Sequence, residues 1–227
     1  NAGTDKTQFG DISNWGTFEV TTVACFYQCT NLTVSATDTL TIIDGSNTFN
    51  GCTSLTTIDL SNWDVSGATT MTAMFRGCTS LTFAIFTGLD TSTITSFNSL
   101  FNGATSLATV TDFDSLNFDI ATDISSCFSG CTGLTGALDF SNLTINASTF
   151  MVSLFNGCTG LTSIDLSNGC TTVIRTFNMF RGCTNLISVD MTGWVMNSNE
   201  APEDTFNGCT SLITITGHEN FGFGGVS

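Results

Sequence analysis

Cysteine and aspartate are the residue types in this chain whose numbers and spacing could support chemistry. The 227 residues include 10 cysteines and 19 acidic residues. Thiolates bind soft metals or form disulfides, and clustered carboxylates bind hard cations or basic groups. Most of the cysteines occupy one position of a recurring phrase, Phe-x-Gly-Cys-Thr-x-Leu, namely Cys29, Cys52, Cys78, Cys131, Cys158, Cys183 and Cys209.

The constant position of these cysteines in the repeat favours packing in the core over disulfide formation or metal binding. Ala104 stands where the phrase would otherwise carry a cysteine, so the position requires a small apolar side chain. Seven members with a gap cannot all pair with neighbours, and free cysteine behaves as a small buried hydrophobe. The sequence is still compatible with one or two disulfide bonds between adjacent turns. Zinc is disfavoured, because the Cys-x-x-x-Cys pairs at 25–29 and 127–131 lack further ligands at matching spacing.

A carboxylate recurs in the same way near the end of several of the apolar segments. Strand alternation would point these side chains outward on one face, with neighbouring turns about 4.8 Å apart. Two charges at that separation repel by roughly 1 kcal/mol in water. Serine and threonine hydroxyls, solvent and raised pKa values could relieve this, or calcium or a partner's basic groups could bridge Asp112, Asp139, Asp165 and Asp190. The candidate binding residues are Asp59, Asp112, Asp139, Asp165 and Asp190.

No constellation for catalysis can be assembled from the sequence. His218 is the one histidine and lies beyond the last full repeat, where a role in a terminal cap is expected. No Gly-x-Ser-x-Gly elbow or phosphate-binding loop is present. We therefore predict that the protein is not an enzyme, with no catalytic residues, no metal and no cofactor beyond the calcium alternative.

Charge and hydropathy exclude two classes of partner. The net charge is −15, with four basic residues, so the chain would be repelled by nucleic acid and by anionic lipid heads. No run of 18 apolar residues occurs, so no membrane insertion is expected. Residues 1–8 contain neither methionine nor an apolar leader segment, which fits a mature product or a fragment.

A repeat of about 26 residues must position these side chains. Copies of the phrase begin at eight phenylalanines, Phe26 being the first, at intervals of 23 to 27 residues. This period is typical of a solenoid, in which stacked turns bury each other's faces. We predict an α/β repeat solenoid of about eight turns and a single domain, 1–227, with repeats over about 9–216 and a C-terminal cap or tail at 217–227. The anchors of its core are Phe49, Phe75, Phe101, Phe128, Phe155, Phe180 and Phe206.

The residues within one repeat follow a regular order. Leu55, Ile58 and Leu60 follow a spacing that predicts a short parallel strand on one side of the solenoid. Apolar pairs such as Met71 and Met74 predict a short helical or 3₁₀ turn on the other side. The glycine of the phrase is predicted to end that turn with a positive φ, while the first copy has Gln28 there. A longer turn at 134–140 predicts a β-bulge or a wider corner.

The run from Gly51 to Asp64, GCTSLTTIDLSNWD, followed by Met71-Thr-Ala-Met-Phe75, resembles the repeat of the BspA-type leucine-rich repeat surface proteins. The resemblance extends over about residues 9–216. It implies a leucine-rich repeat solenoid on a cell or virion surface or otherwise extracellular, often in adhesion. Two functions follow as expectations: a recognition module that binds a protein or glycan, or a structural subunit of an appendage, shell or fibre that packs on sister subunits.

Overall fold

The computed structural model describes residues 6, 7, 9–113, 116, 118, 120–141, 145, 149–167, 175–194 and 204–217, and all structural statements refer to them. The chain forms a β-solenoid in which successive repeats stack as parallel rungs. The eight phenylalanines of the phrase delimit seven intervals, so about seven complete turns are present and the predicted eight is one too many.

The strands are short because each rung has to turn a corner after a few residues. Most contain two or three residues, with an outward, inward, outward burial pattern in Thr57–Asp59. The described elements are β1 (Asp11–Ile12), β2 (Glu19–Val20), β3 (Thr33–Val34), β4 (Thr41–Ile42), β5 (Thr57–Asp59), β6 (Phe83–Ile85), β7 (Thr109–Thr111), β8 (Gly136–Asp139), β9 (Leu161–Asp165), β10 (Ser188–Asp190) and β11 (Thr214–Thr216).

Equivalent repeat positions pair with one another in the parallel ladders. β5, β6 and β7 form one sheet and β8 to β11 another, while β1 pairs with β3 and β2 with β4. Ile164 pairs with Val189, and Val189 with Ile215, so inward residues stay inward from rung to rung. The register shifts between Gly136 and Ala137, which confirms the predicted bulge in the longer turn.

The predicted helical turns behind the strands are wrong, because the described residues contain no α-helix there. The amides of Ala73, Phe75 and Gly77 donate to carbonyls of the next rung at 2.8 to 2.9 Å. The amides between them close turns within the rung, to the carbonyl three residues earlier. A helix would use all of these amides internally and would leave neighbouring rungs without backbone bonds. The back of the solenoid is therefore a ribbon of successive turns.

This ribbon requires positive φ at two places in each rung. The glycine of the phrase has φ of 66° at Gly77 and 73° at Gly103, as predicted, and Gln28 has 59° at the same position. A second left-handed residue lies two positions before each phenylalanine, for example Ala73 at 53°. Sequence reasoning missed this second position. The signal for it was the recurrence of serine and asparagine there, since asparagine is enriched in the left-handed region.

The phenylalanine side chains form a continuous ladder through the interior, as predicted. Successive rings from Phe26 to Phe206 stand 5.3 to 5.7 Å apart and within 17° of parallel. Phe49 to Phe180 are buried, whereas Phe206 in the last rung is partly buried. From Phe49 to Phe180, stacking joins each rung to the next through side chains that are removed from water.

The nine described cysteines are free thiols, which confirms their predicted packing role. In six rungs the thiol of the phrase donates to the carbonyl of the phenylalanine in an earlier rung, for example at 3.1 Å from Cys52 to Phe26 and 3.0 Å from Cys158 to Phe128. Burial raises the pKa of these thiols, to about 12 for Cys78, so they stay protonated. Cys209 is partly buried, and Cys170 lies outside the described residues.

Candidate functional site

Three of the predicted acidic residues form one row on the strand side of the C-terminal rungs. Asp139 pairs with Asp165, and Asp165 with Asp190, in the parallel register. The inward neighbours Ile164 and Val189 are buried, so strand alternation places the carboxylates outward, as expected. The row ends at the last rung, where Thr216 is the partner of Asp190.

The other two predicted residues do not join this row. Asp59 pairs with Ile85, which in turn pairs with Thr111, so no carboxylate stands beside Asp59 in its sheet. Asp112 was predicted to occupy the row position of its rung, and that prediction is wrong, because Thr111 holds it. Asp112 follows the strand with a φ of 57° and accepts a hydrogen bond from the Thr87 hydroxyl.

Each carboxylate of the row is engaged within its own rung. Asp139 accepts hydrogen bonds from the amide and hydroxyl of Ser141 at 3.0 and 2.7 Å. Asp190 accepts the same pair from Thr192, at 2.9 and 2.6 Å, and Asp165 accepts the Ser167 amide at 2.8 Å. These are Asx turns, in which an aspartate fixes the corner after a strand.

The same local bond explains most of the aspartate periodicity in the chain. The amide two residues onward donates to the carboxylate of Asp44, Asp59, Asp64, Asp90 and Asp123 as well. The signal that could have revealed this is the pattern Asp-x-Ser or Asp-x-Thr, which recurs wherever a rung turns. Aspartate therefore recurs mainly because it fixes the corners of the rungs, and the acidic row is a consequence of that recurrence.

Hydrogen bonding also favours the ionised form of two carboxylates of the row. The Ser141 hydroxyl and amide lower the pKa of Asp139, and the Thr192 hydroxyl and amide lower the pKa of Asp190. The expectation of raised pKa values is therefore wrong at these two residues. Hydroxyl donors relieve the mutual repulsion while leaving the carboxylates charged at neutral pH.

The row borders an open, shallow groove of about 420 Å³ on the strand side. Carboxylate and hydroxyl oxygens line it beside the edges of Ile164 and Val189, with no basic residue among the lining side chains. Such a surface can accept hydrogen bonds from ammonium, guanidinium or sugar hydroxyl groups. The polar lining residues are Asp139, Ser163, Asp165, Ser188, Asp190, Thr214 and Thr216.

No metal centre is formed by the part of the chain that the structure describes. There, no three residues among histidine, cysteine, aspartate and glutamate lie close enough together to hold an ion. His218 lies outside this part, so its predicted cap role stays a prediction. The calcium alternative also stays a prediction. Within the described ranges, no helix has the length and hydropathy needed to cross a bilayer.

Two family matches together cover most of the chain. Residues 2–113 match the family described as Mycoplasma protein of unknown function, DUF285. Residues 124–223 match six copies of the BspA type leucine rich repeat region. Among curated proteins, none matches the chain.

Solved structures of bacterial leucine-rich repeat proteins are similar to this chain at low identity. The T. pallidum leucine-rich repeat protein is 18% identical with a TM-score of 0.39, over 90% of this chain and 72% of that one. A leucine-rich repeat protein from Bacteroides ovatus is 17% identical with a TM-score of 0.39, over 94% and 70%. A leucine rich cell surface protein from Faecalibacterium prausnitzii is 18% identical with a TM-score of 0.27, over 86% and 68%.

The family matches agree with the rungs described above. Residues 124–223 include β8 to β11, in which each repeat contributes one strand in a constant parallel register. The phrase that carries the phenylalanine and cysteine ladders continues through the earlier rungs with the same period. The C-terminal part of the chain, residues 124–223, therefore carries BspA-type leucine-rich repeats.

Proposed function

We propose that this chain is a non-catalytic recognition module, displayed extracellularly on a cell or virion surface, that binds a protein or glycan through the groove beside Asp139, Asp165 and Asp190. The observation that carries the proposal is the alignment of three charged carboxylates in consecutive rungs. Solenoids commonly use such extended surfaces for recognition. The resemblance of residues 124–223 to the BspA-type leucine-rich repeat region supports surface display and adhesion.

The chemistry of the groove favours a partner rich in hydrogen-bond donors. The carboxylates retain free acceptor capacity after their turn bonds, because an ionised carboxylate has about four lone-pair sites. The neighbouring serine and threonine hydroxyls can donate or accept, which suits a sugar or a peptide backbone. A protein partner would present lysine or arginine side chains opposite the row.

A binding screen with matched variants tests this proposal. Immobilised glycans and intact cells would be probed with the wild type, with an Asp165→Asn and Asp190→Asn double variant, and with Asp59→Asn as control. Asparagine keeps the oxygen that accepts the turn bond, so the fold should survive in all variants. Binding should weaken with salt and be lost in the double variant, but persist in the control. Equal binding by all three proteins would contradict the proposal.

No cofactor is required for this activity. Calorimetry with calcium should give no heat and no shift in melting temperature. Heat that disappears in the Asp165→Asn and Asp190→Asn double variant would instead establish a calcium site on the row.

A second candidate function, self-association through the ends of the solenoid, is favoured by the apolar side chains exposed there. At the N-terminal end Phe18 is 44% and Val23 57% exposed. Stacking the end of one copy on the end of another would cover these side chains and the open strand edges. Light scattering across a concentration series separates the two functions, since discrete or filamentous assembly supports the structural one and a monodisperse monomer supports recognition.

A further inference from the structure

A second surface of the solenoid, distinct from the acidic row, carries one complete column of threonine and a second column that is threonine at five of its eight positions. We call it the threonine face. One column is the threonine of the phrase, present in every rung without exception, and the other lies three residues further along. The first column is Thr30, Thr53, Thr79, Thr105, Thr132, Thr159, Thr184 and Thr210, and the second is Thr33, Thr56, Thr82, Ala108, Thr135, Thr162, Ile187 and Ile213.

These side chains are accessible to solvent. All sixteen positions are exposed or half-buried, while the leucine between the two columns is buried in most rungs, as at Leu81 and Leu107. The residue that follows the first column is serine, asparagine or glycine throughout, so nothing bulky rises between the columns. The face is therefore a smooth array of methyl and hydroxyl groups.

Bonds between rungs hold several of the threonine hydroxyls in place. The hydroxyl of Thr132 donates to the Thr105 carbonyl at 3.1 Å, and that of Thr82 to the Thr56 carbonyl at 3.0 Å. Thr210 and Thr53 donate to the rung before them in the same way, at 3.4 Å. A hydroxyl that donates its proton to the preceding rung still has a lone pair that can accept a hydrogen bond from solvent. The array is thus ordered before any partner arrives.

The face carries no charge in a chain whose net charge is −15. None of the 19 acidic residues falls on either column or on the position that follows the first. Protein interfaces usually rely on charged or large aromatic anchors, and the two columns contain neither. A partner for this face has to be bound by many equal, weak and evenly spaced contacts.

Successive rungs are nearly parallel in the C-terminal part of the array. The phenylalanine rings inside these rungs deviate from parallel by only 3°, 3° and 6° between Phe128 and Phe206. Neighbouring strands of an ordinary sheet rotate by about 20–25°. With rungs about 4.8 Å apart, these three intervals extend over about 14 Å. The rungs of this part can therefore meet a planar, periodic partner together.

We propose that the threonine face binds ice. The surface of an ice crystal is planar, uncharged and periodic, and its oxygen repeat along the a axis is close to the rung spacing. Water molecules held by the threonine hydroxyls would join the lattice, while the methyl groups between them would occupy its hollows and exclude disordered water. The inference does not rest on the acidic groove and goes beyond the recognition function.

Ice growth measurements with matched variants test it. Thermal hysteresis and inhibition of recrystallisation would be measured for the wild type, Thr132→Tyr and Thr184→Tyr, because a ring on either exposed threonine would hold the lattice away from the array. Thr122→Tyr is the control: Thr122 is exposed and its hydroxyl donates to the preceding rung at 3.2 Å, but it lies in a short row behind the strands, next to Asp123.

The wild type should shape ice crystals and slow their growth, each face variant should lose more than half of the thermal hysteresis, and the control should keep it. Circular dichroism and melting temperature should be the same for all four proteins, which separates loss of contact from loss of fold. A folded wild type that leaves ice growth unchanged would overturn the proposal. So would face variants as active as the control, or retention on crystalline cellulose without any effect on ice.

Discussion

The buried phenylalanine ladder and the exposed aspartate row repeat with the same period, yet they hold the molecule together in different ways. Phenylalanine rings contact the rings of the rungs above and below, 5.3 to 5.7 Å away. The aspartates of the row bond within their own rung, two residues along the chain. The ladder therefore stacks the rungs, and the row shapes each rung before it stacks.

This difference shows that a repeated residue need not interact with its own copies. The ladder is cooperative, because removing one ring leaves a gap that two neighbours share. The row is local, because a change at one corner leaves the corners of adjacent rungs bonded as before. Substitutions of the two kinds should accordingly differ in size and in the reach of their effects.

The largest effect is expected from Phe128→Ala in the middle of the ladder. Phe128 is 1% exposed and stacks on Phe101 and Phe155, so the variant should lose about 3–5 kcal/mol of unfolding free energy. Urea denaturation followed by circular dichroism measures this loss. Phe206→Ala at the partly buried end is the control and should lose clearly less. Equal losses would contradict the cooperative ladder.

A smaller effect is expected from Gly130→Ala on the turn ribbon. Gly130 has a φ of 74°, and an added Cβ would stand 3.6 Å from the Cα of Gly103 in the rung before it. The left-handed backbone should cost about 1–2 kcal/mol of unfolding free energy, with little further cost from the contact. Gly10→Ala, where nothing lies within 4 Å of the added atom and φ is not positive, is the control. An unchanged midpoint for Gly130→Ala would show that the ribbon tolerates any residue there.

The smallest effect is expected at the row, and it should depend on pH. Because hydrogen bonds lower the pKa of Asp190 below its model-peptide value of 3.8, its contribution to stability is complete above about pH 4. It is lost as the pH falls through the lowered pKa of the folded state. Asp190→Ala should lose about 0.5 kcal/mol at neutral pH, and the difference from wild type should shrink in acid. Asp190→Asn, which keeps the accepting oxygen, should lose less.

Melting temperatures from pH 7 down to pH 2 measure this effect. A difference between wild type and Asp190→Ala that stays constant over that range would mean that the carboxylate bonds contribute nothing specific to the folded state.

Much of the fold could be predicted because the buried apolar side chains recur at constant positions of the repeat. Phe75, Cys78 and Leu81 are buried at the predicted positions, and the longer turn produced its bulge between Gly136 and Ala137. The helical turns were wrong because a spacing of three, as between Met71 and Met74, fits a helix and a ribbon of turns equally well. The position of Asp112 was predicted wrongly because its turn has one extra residue before the corner. Counting residues from either side of that extra residue therefore gives a different strand register.

The sequence by itself determined the period, the inward columns and the residue types at each corner, since these follow from local apolar spacing and from side chains that bond two residues away. Only the tertiary structure decided which amides bond to the next rung, which carboxylates stand side by side, and where threonines of successive rungs align on one exposed face. Those features depend on the register between rungs, which is set by stacking and by backbone bonds between distant parts of the chain.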